Sequence, residues 1–150
     1  MRGISFRGKR VSNGEWVEGF YNRFPCKRCL GGEHHIQTVE DDGGIGTVYT
    51  VHEHTVGQFT GLTDKAGRKV FEHDIIEHRF GDEIGVIRYG EYTNSFGDDG
   101  HGGHVGFYVD WVAGASRESL RKDLVYWAQN GETVGNIHDN PELIKNAAVG

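Results

Sequence analysis

Thr55-Val56-Gly57-Gln58-Phe59-Thr60-Gly61-Leu62-Thr63-Asp64-Lys65-Ala66-Gly67-Arg68-Lys69-Val70-Phe71-Glu72-His73-Asp74-Ile75-Ile76 is the stretch whose reading decides the fold. Asp64 stands at the first position of a four-residue turn. Gly67 stands where a left-handed residue closes it, the signature of a type I turn with a glycine bulge that leads into a hairpin. Val70-Phe71 and then Asp74 to Phe80 continue as strand, with Ile75 and Ile76 on opposite faces. Gly57 and Gly61 permit either positive φ or close backbone approach. The Thr55 and Thr60 hydroxyls, and the Asp74 carboxylate at the strand start, can bond local backbone groups and so fix turns. The stretch reads as a structural crossover between an N-terminal hairpin region and a β body. As a phosphate-binding loop it fails, because no lysine stands where such a loop requires one.

Turn signals divide the rest of the chain. Ile4, Phe6 and Gly8 alternate with Ser5, Arg7 and Lys9, and Asn13-Gly14 separates them from a run over Glu15 to Phe24, which is the strongest short-range hairpin signal. A loop is expected over Pro25 to Glu33, a strand over His34–Val39, an acidic glycine-rich turn over Asp41 to Gly46 and a strand over Thr47–His54. Gly81-Asp82 turns the chain into a strand over Ile84–Tyr92. Another covers Val105–Val112, with Phe107, Val109 and Trp111 alternating. Ser116 is placed to cap a short helix through Lys122. Asn130-Gly131 separates Leu124–Gln129 from Glu132–His138 as a second hairpin. Asn140-Pro141-Glu142-Leu143 opens a helix running to about Ala148, with Asn at the cap and Pro at the first position.

Composition agrees. The 150 residues include 24 Gly but only 2 Pro, and 8 Phe, 6 Tyr and 3 Trp against a single Met, which fits short strands joined by tight turns. The length suits one domain, or two small subdomains sharing a core. A formal charge of −6 argues against a general nucleic-acid-binding surface, since phosphate binding needs clustered cations. Arg2, Arg7, Lys9 and Arg10 nevertheless lie close together near the start. No apolar run is long enough to span a membrane, and the N-terminus lacks the apolar stretch of a signal peptide. Two cysteines make no disulfide framework, so the expected location is the cytoplasm, without membrane association.

The run Thr55 to Leu62, followed by Asp64-Lys65, Gly67 and Asp74-Ile75-Ile76, resembles the YopX family of phage and prophage proteins. Val134-Gly135-Asn136-Ile137-His138-Asp139-Asn140-Pro141-Glu142-Leu143 is similar to that family's closing motif. Phe6-Arg7-Gly8-Lys9 and Gly14-Glu15-Trp16-Val17-Glu18-Gly19 are similar to its start. The resemblance covers nearly the whole chain, in order and spacing. It implies a mainly β protein of a bacterial host cell. The expected parts are an N-terminal β subdomain over about 1–68, an SH3-like barrel over about 69–138 and a C-terminal helix over about 140–148. It implies that Thr55, Gly57, Gln58, Thr60, Gly61, Leu62, Asp64, Gly67, Asp74, Gly135, Asn136, Asn140 and Pro141 serve structure or binding. The family pattern has glycine before its aspartate, where this chain has His73, and the segment Pro25 to Glu33 lies outside the pattern. The resemblance supplies a fold and an origin but no chemistry.

Three constellations carry chemistry on paper. Cys26-x-x-Cys29, followed by His34 and His35, has zinc-ligand spacing. His34 and His35 fall on opposite strand faces, so at most one joins the thiols easily, and His52 and His54 are the candidates for a fourth ligand. No cofactor is otherwise expected. Asp98-Asp99-Gly100-His101-Gly102-Gly103-His104 gathers carboxylates and imidazoles in a glycine-rich loop that is poorly preorganised for a metal. Arg7, Lys9 and Arg10 lie near Trp16, Phe20 and Tyr21, residues on which bases can stack. No nucleophile elbow or metalloprotease helix is present. The leading expectation is a non-enzymatic phage accessory protein, a β-barrel module that binds a protein partner or itself. A nucleic-acid-binding regulator and a metal-dependent enzyme using the Cys/His cluster are the alternatives.

Overall fold

A computed structural model describes residues 3–25, 28, 32–78, 83–94, 103–113 and 121–149. The chain divides into two compact units, Met1–Phe59 and Thr60–Gly150. It is mainly β throughout, and the strands pair antiparallel.

The first unit contains β1 (Phe6–Lys9), β2 (Trp16–Phe24), β3 (Glu33–Val39), β4 (Ile45–Thr50) and the start of β5 (Gly57–Thr63). Their order across the sheet is β4-β3-β2-β1-β5. The Asn13-Gly14 signal does what its chemistry dictates. The Gly14 amide donates to the Arg10 carbonyl at 2.9 Å, Asn13 Oδ1 accepts from the Glu15 amide at 3.0 Å, and Gly14 takes φ 73°. The turn at Asp41–Gly44 closes the same way, with the Gly44 amide donating to Asp42 Oδ1 at 2.8 Å. The strand expected over Thr47–His54 is shorter than that. It ends at Thr50, and a single 3₁₀ turn follows at Glu53–Thr55. Thr55 Oγ1 donates to the His52 carbonyl and accepts the Lys9 amide, which diverts the chain out of the strand. Ile36, Val51 and Gly8 make the buried side of the sheet.

The second unit continues β5 into β6 (Lys69–Phe71) and adds β7 (Asp74–His78), β8 (Glu83–Tyr92), β9 (His104–Ala113), α1 (Leu124–Asn130), β10 (Glu132–Asn136) and α2 (Pro141–Val149). β10, β7, β8 and β9 form a sheet in that order. Val70, Ile76, Ile87, Val109, Trp111, Leu124 and Trp127 are the core, with Leu62 and Phe107 packed against it. Ladder shifts at Ile84/Gly85 and Thr133/Gly135 bend the sheet, as bulges do. Among the described residues the sheet keeps β10 and β9 as edges. No helix is long and apolar enough to cross a membrane.

Leu124–Gln129 corrects the sequence reading: it is helix, not the first strand of a hairpin. Leu124, Trp127 and Ala128 are the buried residues, an i, i+3, i+4 pattern with helical period. Asn130-Gly131 therefore ends a helix, the Gly131 amide donating to the Trp127 carbonyl at 2.7 Å. β10 then pairs with β7 rather than with residues 124–129. Both indole nitrogens, of Trp111 and Trp127, donate to the Arg121 carbonyl. The C-terminal helix begins at Pro141 as its cap signal predicts. The Gly81-Asp82 turn and residues 116–120 lie outside the described residues, and Arg121 and Lys122 are not helical.

Gly85 packs so closely that a methyl group there would run into Val109 Cγ1 and press on Trp111. Gly85→Ala is expected to cost about 1–3 kcal/mol, the usual penalty for overpacking a core. Urea unfolding measures it, and an unchanged midpoint would place those side chains elsewhere.

Candidate functional site

Among the motif residues, Asp64, 5 % exposed, supplies a buried carboxylate. Its Oδ1 accepts the amides of Ala66 and Arg68, each at 2.9 Å, which holds the turn closed while Gly67 takes φ 83°. Its Oδ2 accepts both the Thr133 amide at 2.9 Å and the Thr133 hydroxyl at 2.8 Å. Arg68 grips the same residue from its other side, Nη1 donating to the Thr133 carbonyl at 2.8 Å. Burial on its own would raise the Asp64 pKa. The bonds from Thr133, Arg68 and Ala66 stabilise the charged form and win, so the carboxyl lies below its usual value.

The remaining motif positions are held the same way. Asp74 Oδ2 accepts the Phe71 amide at 2.8 Å, and Asp74 pairs with Asn136 across β7 and β10. Asn136 Oδ1 accepts the amides of His138 and Asp139, and Asn140 Oδ1 accepts the Asn136 amide. Any side chain at Gly135 would strike Asn140 Oδ1, and Pro141 then starts α2. Thr60 Oγ1 donates to the Val70 carbonyl and accepts the Leu62 amide. Gly61 takes φ 85°, while Gly57 and Gln58 pair with Arg7 and Phe6. His73 adopts φ 75° and is the one non-glycine residue with positive φ among those described. Its ring Nδ1 lies 3.1 Å from His138 Nε2, and its Nε2 lies 3.8 Å from Glu72.

In the first unit the ladder brings Arg7, Lys9 and Trp16 together and sends Arg10 elsewhere. Lys9 pairs with Trp16, and Arg7 with Glu18. The Arg7 guanidinium stands 4.6 Å from the Trp16 ring centre and Lys9 Nζ 5.6 Å from it, whereas Arg10 lies over Tyr49 at 4.3 Å. Phe20 and Phe24 are more than half exposed. Tyr21 belongs to the opposite face, hydrogen-bonded to His34 Nδ1 and stacked on its ring. Burial, and then the Glu53 charge, push the Tyr21 phenol up. His34 is buried with Nε2 3.5 Å from Glu53 Oε2. His35 turns the other way, to Glu33 and the Phe24 ring. His52 and His54 lie with ring centres 5.6 Å apart. Cys26 and Cys29 lie outside the described residues, as do Asp98 to Gly102. No group of three or more His, Cys, Asp or Glu placed to hold a metal occurs among the described residues.

One surface went unread in the sequence. Along β8 and β9 the pairs Ile87–Val109, Tyr89–Phe107 and Glu91–Val105 share a face. Ile87 and Val109 are fully buried, but Tyr89 is 58 % and Val105 73 % exposed, with the Tyr89 ring set edge-on to Phe107 at 5.1 Å. The available signal was an apolar alternation that runs through Val105, Phe107 and Val109 in β9 and through Ile87 and Tyr89 in β8, where it ends at Glu91.

The family model described as YopX protein matches residues 5–145. Among solved structures the chain is similar to the crystal structure of protein EF1440 from Enterococcus faecalis. The identity is 18%, the TM-score 0.51, and the alignment covers 96% of this chain and 99% of that one. At that identity the likeness concerns the fold alone. No curated protein matches the chain.

Two substitutions test these local readings. Asp64→Asn keeps the shape but offers an amide where the Thr133 donors need an acceptor, and is expected to cost about 2–3 kcal/mol at neutral pH. Because the folded pKa is depressed, this stabilisation is present above the unfolded value near 3.9 and is lost as pH falls through the lower folded value. Denaturation midpoints of wild type and variant should therefore converge in acid; a gap constant with pH would assign the effect to shape. His73→Gly relieves a left-handed conformation costing about 1 kcal/mol. It should raise the thermal midpoint, and a drop would show that the His138 contact outweighs the strain.

Proposed function

The chain belongs to the YopX protein family, and we propose that it is a phage or prophage accessory protein acting as a self-associating, protein-binding β module in the bacterial cytoplasm. The observation behind this is the β8–β9 hairpin, whose apolar face continues past the core into Tyr89 and Val105. An apolar face that outruns its own core is a surface for another chain. β9 is also an edge of its sheet; Lys122 and Asp123 bridge it at Val109 and Tyr108, and beyond such a bridge a sheet edge offers backbone groups for pairing. A two-fold pairing of this hairpin with a second copy satisfies both features, because isologous contacts place each patch on itself. We assign the second unit to the SH3-like class. Support comes from its antiparallel strand pairing and the two ladder shifts within it.

Light scattering coupled to size exclusion tests the association. Wild type is expected above the one-chain mass of 16.7 kDa at high protein concentration. Val105→Lys should return it to one chain, with stability changed by less than about 0.5 kcal/mol because the site is exposed. A wild-type mass of one chain at every concentration would overturn the self-association.

A further inference from the structure

The first unit carries a second surface of different chemistry. β2 alternates with period two, so Trp16, Phe20 and Phe24 fall on one face, each about 13 Å from the next. Phe20 is 57 % and Phe24 52 % exposed. The neighbouring strands add to the same face. Lys9 and Arg7 stand opposite Trp16 and Glu18, with the Arg7 guanidinium over the indole, and His35 stands opposite Asn22 with its ring 5.2 Å from Phe24. The face is thus a row of aromatic rings with cations at one end.

Charge along the chain is uneven. Residues 1–28 hold seven Lys or Arg against two Glu, residues 29–59 hold five Asp or Glu and no Lys or Arg, and residues 60–150 hold fifteen Asp or Glu against nine Lys or Arg. The first unit is therefore formally neutral, with its cations confined to its opening segment. The overall value of −6 therefore hides a basic opening segment.

We propose that this face of β1, β2 and β3 binds single-stranded nucleic acid, with bases stacking on Phe20, Phe24 and Trp16 and phosphates meeting Arg7 and Lys9. Exposed rings on a sheet offer π-faces, which unpaired bases match and the edges of duplex grooves do not. An acidic peptide would use the cations and leave the aromatic row without a counterpart. Two carboxylates share this face: Glu18, set between Trp16 and Phe20 and opposite Arg7, and Glu33, opposite Phe24 and paired with His35; of these Glu18 lies beside the proposed phosphate ligands. It serves as an internal control.

Fluorescence anisotropy with labelled oligothymidine, oligouridine and a duplex of equal length reads the binding. Both single strands should bind more tightly than the duplex, and the ratio between them reports the sugar preference. If Arg7 and Lys9 are the two phosphate ligands, raising salt fourfold should weaken binding about sevenfold. Phe20→Ala with Phe24→Ala should weaken it at least tenfold, with circular dichroism unchanged because both rings are exposed. Glu18→Gln should tighten it. Absence of single-strand binding at low salt, duplex preference, or indifference to the two phenylalanines would each overturn the proposal. None of these results bears on association through Val105, which the light-scattering mass reads separately.

Discussion

A single carboxylate organises the second unit. Asp64 accepts four hydrogen bonds, two from its own turn and two from Thr133. Each oxygen does a separate job: one shapes the turn between β5 and β6, the other fastens that turn to β10. Buried carboxylates are costly unless their lone pairs are filled, and here the bonds outweigh the burial that opposes ionisation. Arg68, which the first oxygen positions through its amide, reaches back to the Thr133 carbonyl. Turn and strand are thereby locked from both sides.

How much of this was legible in the sequence follows from the range of each interaction. The turn at Asp64–Gly67 was, because its chemistry lies within four residues and each position has its own φ requirement. The same holds for Asn13-Gly14 and for the Pro141 helix start. Thr133 was not, since it lies 69 residues away and nothing local marks it. α1 was misread for a different reason. Asn-Gly is a hairpin signal and also a helix terminator, and only the spacing of Leu124, Trp127 and Ala128 separates the two. His73 shows what only three dimensions reveal: its backbone takes φ 75°, a region glycine enters without strain, which suits the glycine that the family resemblance leads one to expect there.

The motif residues are spent on backbone geometry, and the surfaces with chemistry to offer lie away from them. That division explains why a well-marked motif says little about activity. In the first unit, what faces outward follows from a period-two alternation that sorts Tyr21, His34 and Ile36 to one side and Trp16, Phe20 and Phe24 to the other. In the second, the hairpin of β8 and β9 is longer than the core it covers. Both surfaces arise from strand periodicity rather than from any conserved-looking cluster of polar groups, which is why polar motifs did not reveal them.

The Asp64–Thr133 link is accessible to a double-mutant cycle. Unfolding free energies of wild type, Asp64→Asn, Thr133→Ser and the double variant report any coupling carried by the Thr133 methyl, and replacing Ser by Val in the same cycle removes the hydroxyl bond. With Thr133→Val the two sites should couple by about 1–2 kcal/mol, and with Thr133→Ser by close to zero. Additive losses in the Val cycle would mean that the Thr133 hydroxyl does not help Asp64 fasten β10 to the turn.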